Sequence, residues 1–312
     1  MTEPKRIHLD TDLGSDTDDL CALAMLLGWE DVDLVGITTN TDPGGIRAGY
    51  THHALRVAGK EDVPVKPGAE GSIAGLFSPL AFPDYWPEPI APRPAPIGEA
   101  FDLIEASLDA GATIVAVGPY TNLALFEAAR PGVLAGNLVV MGGHVTTSRP
   151  GLPSWGVHDD FNVQQDRFAA YTILSRCEPV VVPIAVSLEV TLRKSHLARL
   201  REAGALGRLI ADQAEAHARD NGRTELGRAF EGLPDDLLNF HYDPLACAVA
   251  LGWPGVTLEE VPTRLELKEG RLWMSGSDEA ASLKVATAVD AGSFEEVWLR
   301  AVERAADTSR VP

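Results

Sequence analysis

Cysteine is scarce in this chain. Its 312 residues include three cysteines, Cys21, Cys177 and Cys247, which lie far apart in apolar surroundings. Their spacing does not match a paired metal-binding motif, so buried packing explains them better than a disulfide, a metal site or a catalytic thiol. We therefore expect no sulfur chemistry in the function.

Long apolar runs are also lacking. No stretch approaches the roughly 18 to 20 apolar residues that span a bilayer, and the opening MTEPKRIHLD has no apolar core of a signal peptide. We therefore expect a cytoplasmic protein with no membrane partner. Apolar residues still make up 45% of the chain, which is ample for a buried core.

Positive charge is scarce as well. The chain has 26 lysines and arginines against 45 aspartates and glutamates, which gives a formal net charge of −19. Such a charge repels phosphate backbones and acidic membrane surfaces, so it argues against nucleic acid as a partner and mildly against phosphorylated substrates. Neutral small molecules and cations remain as ligands.

Strand-like and helix-like apolar patterns alternate along the chain. They predict strands at 5–10, 32–39, 112–117, 138–141 and 179–186, and helices at 18–29, 44–58, 120–129 and from about Asp166. A β-hairpin is predicted over 256–275, turning near 268–271, and an amphipathic closing helix at 294–306. The alternation indicates a single α/β domain over residues 1–312, with an open, mostly parallel sheet and helices on both faces.

Three long segments interrupt this alternation, at 70–96, 144–160 and 220–239. Long loops of compact domains are often functional. Ligands of open parallel sheets bind beyond the carboxyl ends of the strands, so the residues just after each strand are the first candidates for a site.

An aspartate cluster follows the first predicted strand. The segment DTDLGSDTDD contains Asp10, Asp12, Asp16, Asp18 and Asp19 and leads into a helix. Like charges this close repel each other, and a hard divalent cation with oxygen ligands offsets the repulsion better than a helix N-terminus does. The alternative is helix capping within a solvated acidic turn, but capping needs only one or two such residues.

These aspartates open an ordered series of motifs that resembles the nucleoside hydrolase family, the inosine-uridine-preferring N-ribohydrolases. The resemblance covers most of the chain and implies a calcium-dependent glycosidase that splits ribonucleosides into ribose and a free base, in purine or pyrimidine salvage, as a homodimer or homotetramer. The further matching motifs are GITT at 36–39, VPV with GA at 63–69, GPYTN at 118–122, MGG at 141–143, DFN at 160–162 and YDPLA at 242–246.

The resemblance implies a set of calcium ligands. They are Asp12, Asp19 and Asp243 with the backbone carbonyl of Val117. Because the opening signature is two residues longer than its short form DTDxGxDD, Asp16 is an alternative to Asp18 or to one of these ligands. Capping of the helix that follows is a second reading for Asp243, and it is compatible with a ligand role.

The resemblance also implies the catalytic and ribose contacts. Asp12 would accept the proton of the attacking water, Asp18 would bind the 2′-hydroxyl, Asn162 and Asp243 the 3′-hydroxyl, and Asp160 the 5′-hydroxyl. Asp160 stands where the family usually has glutamate, so its reach is shorter. Its alternative reading is an exposed loop carboxylate.

The base-binding positions depart from the family pattern. The best-known members have a histidine that protonates the leaving group, where this chain has Tyr242, with His241 one residue earlier. Tyrosine could donate a proton or stack on the base. His241 has an equal claim to a purely structural role, because a one-residue shift on an extended segment turns a side chain to the other face.

Two further loops supply candidates for base recognition. Asn40 and Asp42 occupy the loop after GITT, and Tyr85 and Trp86 occupy the 70–96 loop, where a planar base could stack on them. Packing of both aromatic residues is an equally good reading.

Two other functions stay open at this point, and a third is disfavoured. The chain could hydrolyse another N-riboside or a related glycoside, or it could be a non-catalytic homologue that binds calcium and ribose. Phosphotransfer through an aspartyl nucleophile is disfavoured by the net charge and by the lack of an evident phosphate-binding lysine and hydroxyl pair.

Overall fold

The computed structural model describes residues 3–73, 75 and 85–305. Strands and helices alternate over most of this part of the chain. The strands are β1 Lys5–Thr11, β2 Val32–Thr39, β3 Val65–Pro67, β4 Thr113–Ala116, β5 Leu138–Met141, β6 Val180–Val182, β7 Thr191–Arg193, β8 Leu237–Phe240, β9 Val256–Lys268, β10 Arg271–Gly276 and β11 Ser282–Val289. The helices are α1 Asp18–Gly28, α2 Ile46–Val57, α3 Ile97–Asp109, α4 Thr121–Ala129, α5 Phe161–Gln165, α6 Arg167–Arg176, α7 Ile184–Ser187, α8 Leu197–Glu202, α9 Gly204–Asp220, α10 Arg223–Ala229, α11 Tyr242–Ala250 and α12 Ala291–Ala305.

The central sheet has the strand order β10-β9-β11-β6-β5-β4-β1-β2-β3, and β7 pairs separately with β8. Strands β1 to β6 are parallel to their neighbours, whereas β9 is antiparallel to both β10 and β11. The chain leaves β1 toward β2 and β3, then returns to place β4 on the other side of β1. The boundary between β1 and β4 is therefore the switch point of the sheet, where open α/β folds bind their ligands.

Apolar side chains cover both faces of this sheet. Along β5, Val139 and Met141 belong to one buried cluster, while Leu138 and Val140 belong to a second. Side chains of a strand alternate between its two faces, so each face has its own core. The first cluster includes residues of α1, α11 and α12, and the second includes residues of α4 and α6.

The predicted α/β fold, with a mostly parallel sheet and helices on both faces, is confirmed. The strand predicted at 179–186 is shorter than expected, because β6 ends before Pro183 and Ile184–Ser187 form a helical turn. Proline has no N–H to donate to a neighbouring strand. The predicted hairpin is present as β9 and β10, but the pattern does not predict β11, which lies between β9 and β6 and joins the hairpin to the main sheet. Among the described residues, no helix has both the length and the apolar character needed to cross a bilayer.

Candidate active site

A cavity of about 300 Å³ opens at the carboxyl edge of the parallel strands. Its walls come from the segments after β1, β4 and β5 and from the first residues of α1, α5 and α11, so it lies at the switch point of the sheet. The lining residues are Asp12, Ser15, Asp16, Asp18, Asp19, Val117, Met141, Trp155, Asp159, Asp160, Phe161, Asn162, Ile184, Tyr242 and Asp243.

Three buried carboxylates meet in this cavity. Asp18 and Asp19 belong to the first turn of α1, and Asp243 belongs to the first turn of α11. Each offers an oxygen within 4.8 Å of the oxygens of the other two. Burial raises the pKa of all three well above its ordinary value, and repulsion between neighbouring aspartates adds to the rise. A cation among them would remove this repulsion, and three carboxylates form a donor set suited to a hard metal ion.

Asp12 lines the same cavity, directly after β1. The guanidinium of Arg47, which is itself fully buried, lies 3.5 Å from Asp12 Oδ2. Burial raises the pKa of Asp12, and the charge of Arg47 opposes that rise. On the neighbouring strand end, a Cβ added to Gly118 would lie 2.7 Å from Asp12 Oδ1. Any larger residue at position 118 would therefore displace the side chains of Asp12 and Asn40.

Asn162 connects the ends of β4 and β5. Its Nδ2 donates to the carbonyl oxygen of Val117 at 2.7 Å and to that of Met141 at 3.2 Å. A carbonyl oxygen has two lone pairs, so the oxygen of Val117 can accept this hydrogen bond with one and still present the other to the cavity.

Asp160 is buried, and protein donors hold it in place. Its Oδ2 accepts hydrogen bonds from the N–H of Gly143 at 2.9 Å and from Nδ1 of His144 at 3.0 Å. The other ring nitrogen of His144 accepts from the N–H of Met274 at 3.1 Å, so the proton of the neutral ring is on Nδ1. Asp160 is 2% exposed, which excludes the reading as a solvated loop carboxylate.

Asp16 lies on another rim of the cavity, among side chains of α9, α10 and β8. Its Oδ1 accepts a hydrogen bond from Asn239 Nδ2 at 2.6 Å, and His217 Nε2 lies 3.5 Å away. Burial alone would raise the pKa of Asp16, but His217 and Arg223 bring it below its ordinary value. Asp16 is not one of the three described carboxylates whose oxygens meet.

Similarity to known proteins identifies the family of the chain that forms this cavity. The profile of the inosine-uridine preferring nucleoside hydrolases matches residues 7–296, which is nearly the whole chain. The chain belongs to the nucleoside hydrolase family. As a member, it is an enzyme that hydrolyses N-glycosidic bonds of ribonucleosides.

Curated relatives agree with this family. The non-specific ribonucleoside hydrolase RihC of Salmonella agona is 29% identical, over 67% of this chain and 71% of the relative. A probable uridine nucleosidase 2 of Arabidopsis thaliana is 31% identical, over 45% of this chain and 47% of the relative.

Solved structures agree with the fold. A purine-preferring ribonucleoside hydrolase from Gardnerella vaginalis has a TM-score of 0.77 at 22% identity, and covers 97% of this chain and 99% of its own. The plant nucleoside hydrolase PpNRh1 has a TM-score of 0.75 at 20% identity, and covers 96% of this chain and 99% of its own.

The cavity of this nucleoside hydrolase brings together the residues expected to bind metal and ribose. Those predicted residues that line it are Asp12, Asp16, Asp18, Asp19, Val117, Asp160, Asn162, Tyr242 and Asp243. The remaining five, His241, Asn40, Asp42, Tyr85 and Trp86, are not part of the lining.

His241 points away from the cavity. Its ring centroid lies 4.2 Å from that of Trp298 in α12, and among the described residues neither ring nitrogen has a hydrogen-bond partner. Burial lowers its pKa well below the ordinary value. Tyr242, one residue later, faces the cavity instead. The structure therefore favours the structural reading of His241.

Asn40 and Asp42 lie beneath the site. Asn40 Nδ2 donates to Asp10 Oδ1 at 2.7 Å. Asp42 accepts from the backbone N–H groups of Arg47 at 2.6 Å and Ala48 at 3.0 Å, at the start of α2. Both side chains thus form hydrogen bonds within the protein interior and do not line the cavity.

Tyr85 and Trp86 also make internal contacts. Trp86 stacks on Tyr50 with ring centroids 4.6 Å apart, and its Nε1 donates to the carbonyl of Gly14 at 3.4 Å. Gly14 has φ +137°, and an added Cβ would lie 2.6 Å from the Tyr50 ring, so only glycine fits there. Tyr85 donates to Asp220 Oδ2 at 3.0 Å. The rest of the predicted base loop, at residues 74 and 76–84, lies outside the described residues.

Several site residues of this nucleoside hydrolase are not predicted from the sequence. Arg47 falls within an ordinary helix pattern, yet it is buried beside Asp12. His144 follows the MGG motif and positions Asp160, and that adjacency was the available signal. Trp155 and Phe161 line the cavity from the long 144–160 segment and from the DFN motif.

Proposed function

We propose that this nucleoside hydrolase uses calcium to hydrolyse the N-glycosidic bond of ribonucleosides, releasing ribose and a free base. The observation that supports this most strongly is the cavity in which Asp18, Asp19 and Asp243 meet beside Asp12. Family membership supports the bond that is cleaved. We also propose that residues 1–312 act as one domain.

The donor set fits calcium. Asp12, Asp19, Asp243 and the carbonyl oxygen of Val117 would hold the ion, and Asp18 is close enough to take part. Calcium accepts about six to eight oxygen ligands in a flexible geometry, whereas magnesium demands a strict octahedron. When bound, the ion would make water more acidic and neutralise part of the carboxylate charge.

Asp12 is the proposed general base. Its carboxylate lines the cavity and accepts the proton of the attacking water as the bond to the sugar forms. Arg47, 3.5 Å away, fixes the position of this carboxylate and favours its charged form. Gly118 keeps the space beside Asp12 Oδ1 free of a side chain.

The ribose is proposed to bind through its three hydroxyl groups. Asp18 contacts the 2′-hydroxyl, Asn162 and Asp243 contact the 3′-hydroxyl, and Asp160 contacts the 5′-hydroxyl. These contacts orient C1′ toward the water. Binding energy from the hydroxyl groups thereby lowers the barrier at the reacting carbon. A site that hydrogen-bonds a hydroxyl discriminates strongly against the analogue that lacks it, so 2′-deoxyribosides should be poor substrates.

The leaving base is proposed to lie against Tyr242, Trp155 and Phe161, which line the cavity. Aromatic rings favour a planar base through stacking. Burial raises the pKa of Tyr242 well above its ordinary value, so its hydroxyl keeps its proton at neutral pH and can donate a hydrogen bond to the departing base.

A reducing-sugar assay tests this proposal. Purine, pyrimidine and modified ribonucleosides are supplied with calcium and then with a calcium chelator. We expect ribose release from at least one ribonucleoside, and loss of that release on chelation. Undiminished rates in the chelator would contradict calcium dependence, and no release from any N-riboside would favour a binding protein.

A second candidate is the hydrolysis of another N-riboside or a related glycoside. The ionised Asp16 on the cavity wall favours it, because a carboxylate there suits a leaving group that carries positive charge. Retention of Asp12 beside the three carboxylates argues against a module that only binds calcium and ribose. The resemblance extends the proposal to a cytoplasmic homodimer or homotetramer in nucleoside salvage, which size-exclusion chromatography with light scattering tests for assembly.

A further inference from the structure

Asp16 is a cavity carboxylate without a role among the proposed metal, water and ribose contacts. It belongs to the part of DTDLGSDTDD that exceeds the shorter family signature. Its side chain lines the cavity and remains 33% exposed, although several protein groups contact it. An exposed carboxylate surface in a substrate cavity is available to a ligand.

The contacts of Asp16 fix the carboxylate in one place. Oδ1 accepts hydrogen bonds from the backbone N–H of Thr17 at 2.5 Å and from Asn239 Nδ2 at 2.6 Å. His217 Nε2 lies 3.5 Å from Oδ1, and Arg223 Nη2 lies 3.9 Å from Oδ2. These two short contacts use Oδ1, while Oδ2 faces Arg223, and the side chain of Asp18 shares a further hydrogen bond with Asp16.

These partners join Asp16 to the aromatic wall of the cavity. The Arg223 guanidinium lies 5.6 Å from the centre of the Phe240 ring. Phe240 in turn lies 5.3 Å from Tyr242 and 5.5 Å from Trp155, centroid to centroid. Tyr242, Trp155 and Asp16 all line the cavity, so the carboxylate belongs to the wall proposed to face the leaving base.

Two of the proposed ribose contacts, Asn162 and Asp160, lie on a different rim. Asn162 is tied to the carbonyl oxygens that follow β4 and end β5, and Asp160 is tied to Gly143 and His144. Asp16 shares none of these partners, since its own are the N–H of Thr17, the side chain of Asp18 and side chains of α9, α10 and β8.

We propose that Asp16 determines base specificity, by accepting a hydrogen bond from an N–H donor of a nucleobase bound against Tyr242 and Trp155. This inference rests on the proposed function and adds to it the residue that recognises the leaving group. The favoured substrates carry an amide-type ring N–H, as uracil and hypoxanthine do. A hydrogen bond to a charged group, once lost, lowers kcat/KM by about 10- to 100-fold.

The test compares substrate pairs that differ only in this donor. Initial rates are measured for uridine and 3-methyluridine, and for inosine and 1-methylinosine, with the wild-type enzyme and with Asp16→Asn. We expect Asp16→Asn to lower kcat/KM about 10- to 100-fold on the N–H substrates and less than about 3-fold on the N-methyl substrates. An equal loss on both members of each pair would overturn the proposal.

Asp159→Asn is the matched control, because Asp159 is another carboxylate that lines the cavity and accepts a backbone N–H. It should leave the ratio between the paired substrates unchanged. The calcium-induced shift in Tm should also survive in Asp16→Asn, and its loss would show that Asp16 is a metal ligand instead. A defect that follows the 2′-hydroxyl rather than the base N–H would assign Asp16 to the ribose and overturn the proposal.

The failure of the proposed function looks different. In that case the wild-type enzyme releases no ribose from any of the four ribonucleosides, whereas failure of the Asp16 proposal leaves wild-type release intact and removes only the dependence on the N–H group.

Discussion

Asp160 and Asp243 line the same cavity, but their neighbours differ. Asp160 Oδ2 has two N–H donors, from Gly143 and His144. Asp243 instead faces other carboxylates, and burial together with this repulsion raises its pKa well above the ordinary value. Protein groups alone therefore position Asp160, whereas the carboxylates around Asp243 call for a cation.

Replacement of His144 tests this view of Asp160. His144→Phe keeps a ring of similar size but removes the Nδ1 donor to Asp160. Loss of a hydrogen bond to a charged partner costs about 1.5 to 3 kcal/mol, so we expect kcat/KM to fall roughly 10-fold or more, mainly through a higher KM. Steady-state kinetics on the best ribonucleoside measure the effect.

His158→Phe is the control for that substitution. His158 is exposed on the same segment and lies near Trp273 rather than Asp160. Its kinetics should match the wild type. If both variants behaved alike, His144 would have no specific role in positioning Asp160.

The sequence predicts individual site residues correctly where they lie in motifs of a recognisable order. The motifs predict that Asp12, Asp19, Asn162 and Asp243 come together, and they share one cavity. The sequence does not predict side-chain directions that depend on packing. The hydrogen bonds of Asn40 lie in the interior, and Trp86 stacks on Tyr50. Nothing in the local pattern distinguishes these positions from cavity positions.

Helices α1 and α11 both begin at the cavity with carboxylates in their first turns, Asp18 and Asp19 in one and Asp243 in the other. A helix N-terminus stabilises a nearby negative charge by about 0.3 to 1 kcal/mol. That is too little to hold several adjacent carboxylates, since repulsion and burial raise their pKa well above the ordinary value. The two elements bring the charges together, and a metal ion would stabilise them.

The spacing between the ends of β1 and β4 can be tested at Gly118. In Gly118→Ala the new methyl group would lie 2.7 Å from Asp12 Oδ1 and 2.8 Å from the amide of Asn40, so Asp12 must shift. A misplacement of about 1 Å at a catalytic group costs about 100-fold in rate. We expect kcat to fall by roughly that factor while the chain remains folded by circular dichroism.

Gly98→Ala provides the comparison. Gly98 lies in α3, and an added Cβ there meets nothing within 4 Å. Activity should be unchanged, and stability should rise by about 0.5 to 1 kcal/mol because alanine favours helix. Near-normal kcat in Gly118→Ala would show that the strand ends do not constrain Asp12.

Local periodicity predicts most of the elements but not their long-range pairing. Strand β2 at Val32–Thr39 and strand β5 at Leu138–Met141 match the predicted bounds. Strand β11 goes unpredicted because its place depends on pairing with both β9 and β6. Such pairing is set by tertiary structure, which a window of neighbouring residues does not contain.

At the scale of the whole molecule, calcium binding should raise the free energy of unfolding. An ion that binds only the folded chain adds about 2.7 kcal/mol at 100 times its Kd, which we expect to raise Tm by roughly 5 °C. Asp243→Asn removes one of the three converging carboxylates and should abolish most of the shift. Differential scanning calorimetry with calcium and with chelator measures it, and a full shift in Asp243→Asn would exclude that residue as a ligand.

Stability should also depend on pH through the buried His8. Burial lowers the pKa of His8 from 6.5 to about 3, whereas the unfolded chain binds the proton near the ordinary value. The folded state therefore loses stability as pH falls from about 6.5 toward 3, by about 1.4 kcal/mol per pH unit for this one group.

A His8→Gln variant isolates this contribution, because the titration of every other group is common to both proteins. Urea unfolding between pH 7 and 5 should show the wild type losing stability more steeply than the variant. Parallel curves would mean that His8 titrates alike in the folded and unfolded chains.

The central claim is that the cavity at the switch point of the sheet hydrolyses ribonucleosides with Asp12 as the base. The most direct measurement is the initial rate of ribose release from the best ribonucleoside, with calcium present, by the wild-type enzyme and by Asp12→Asn at equal folded concentration. We predict release by the wild type and a fall of at least about 100-fold in the variant. A variant rate close to the wild-type rate, or no release by the wild type from any ribonucleoside, would contradict the claim.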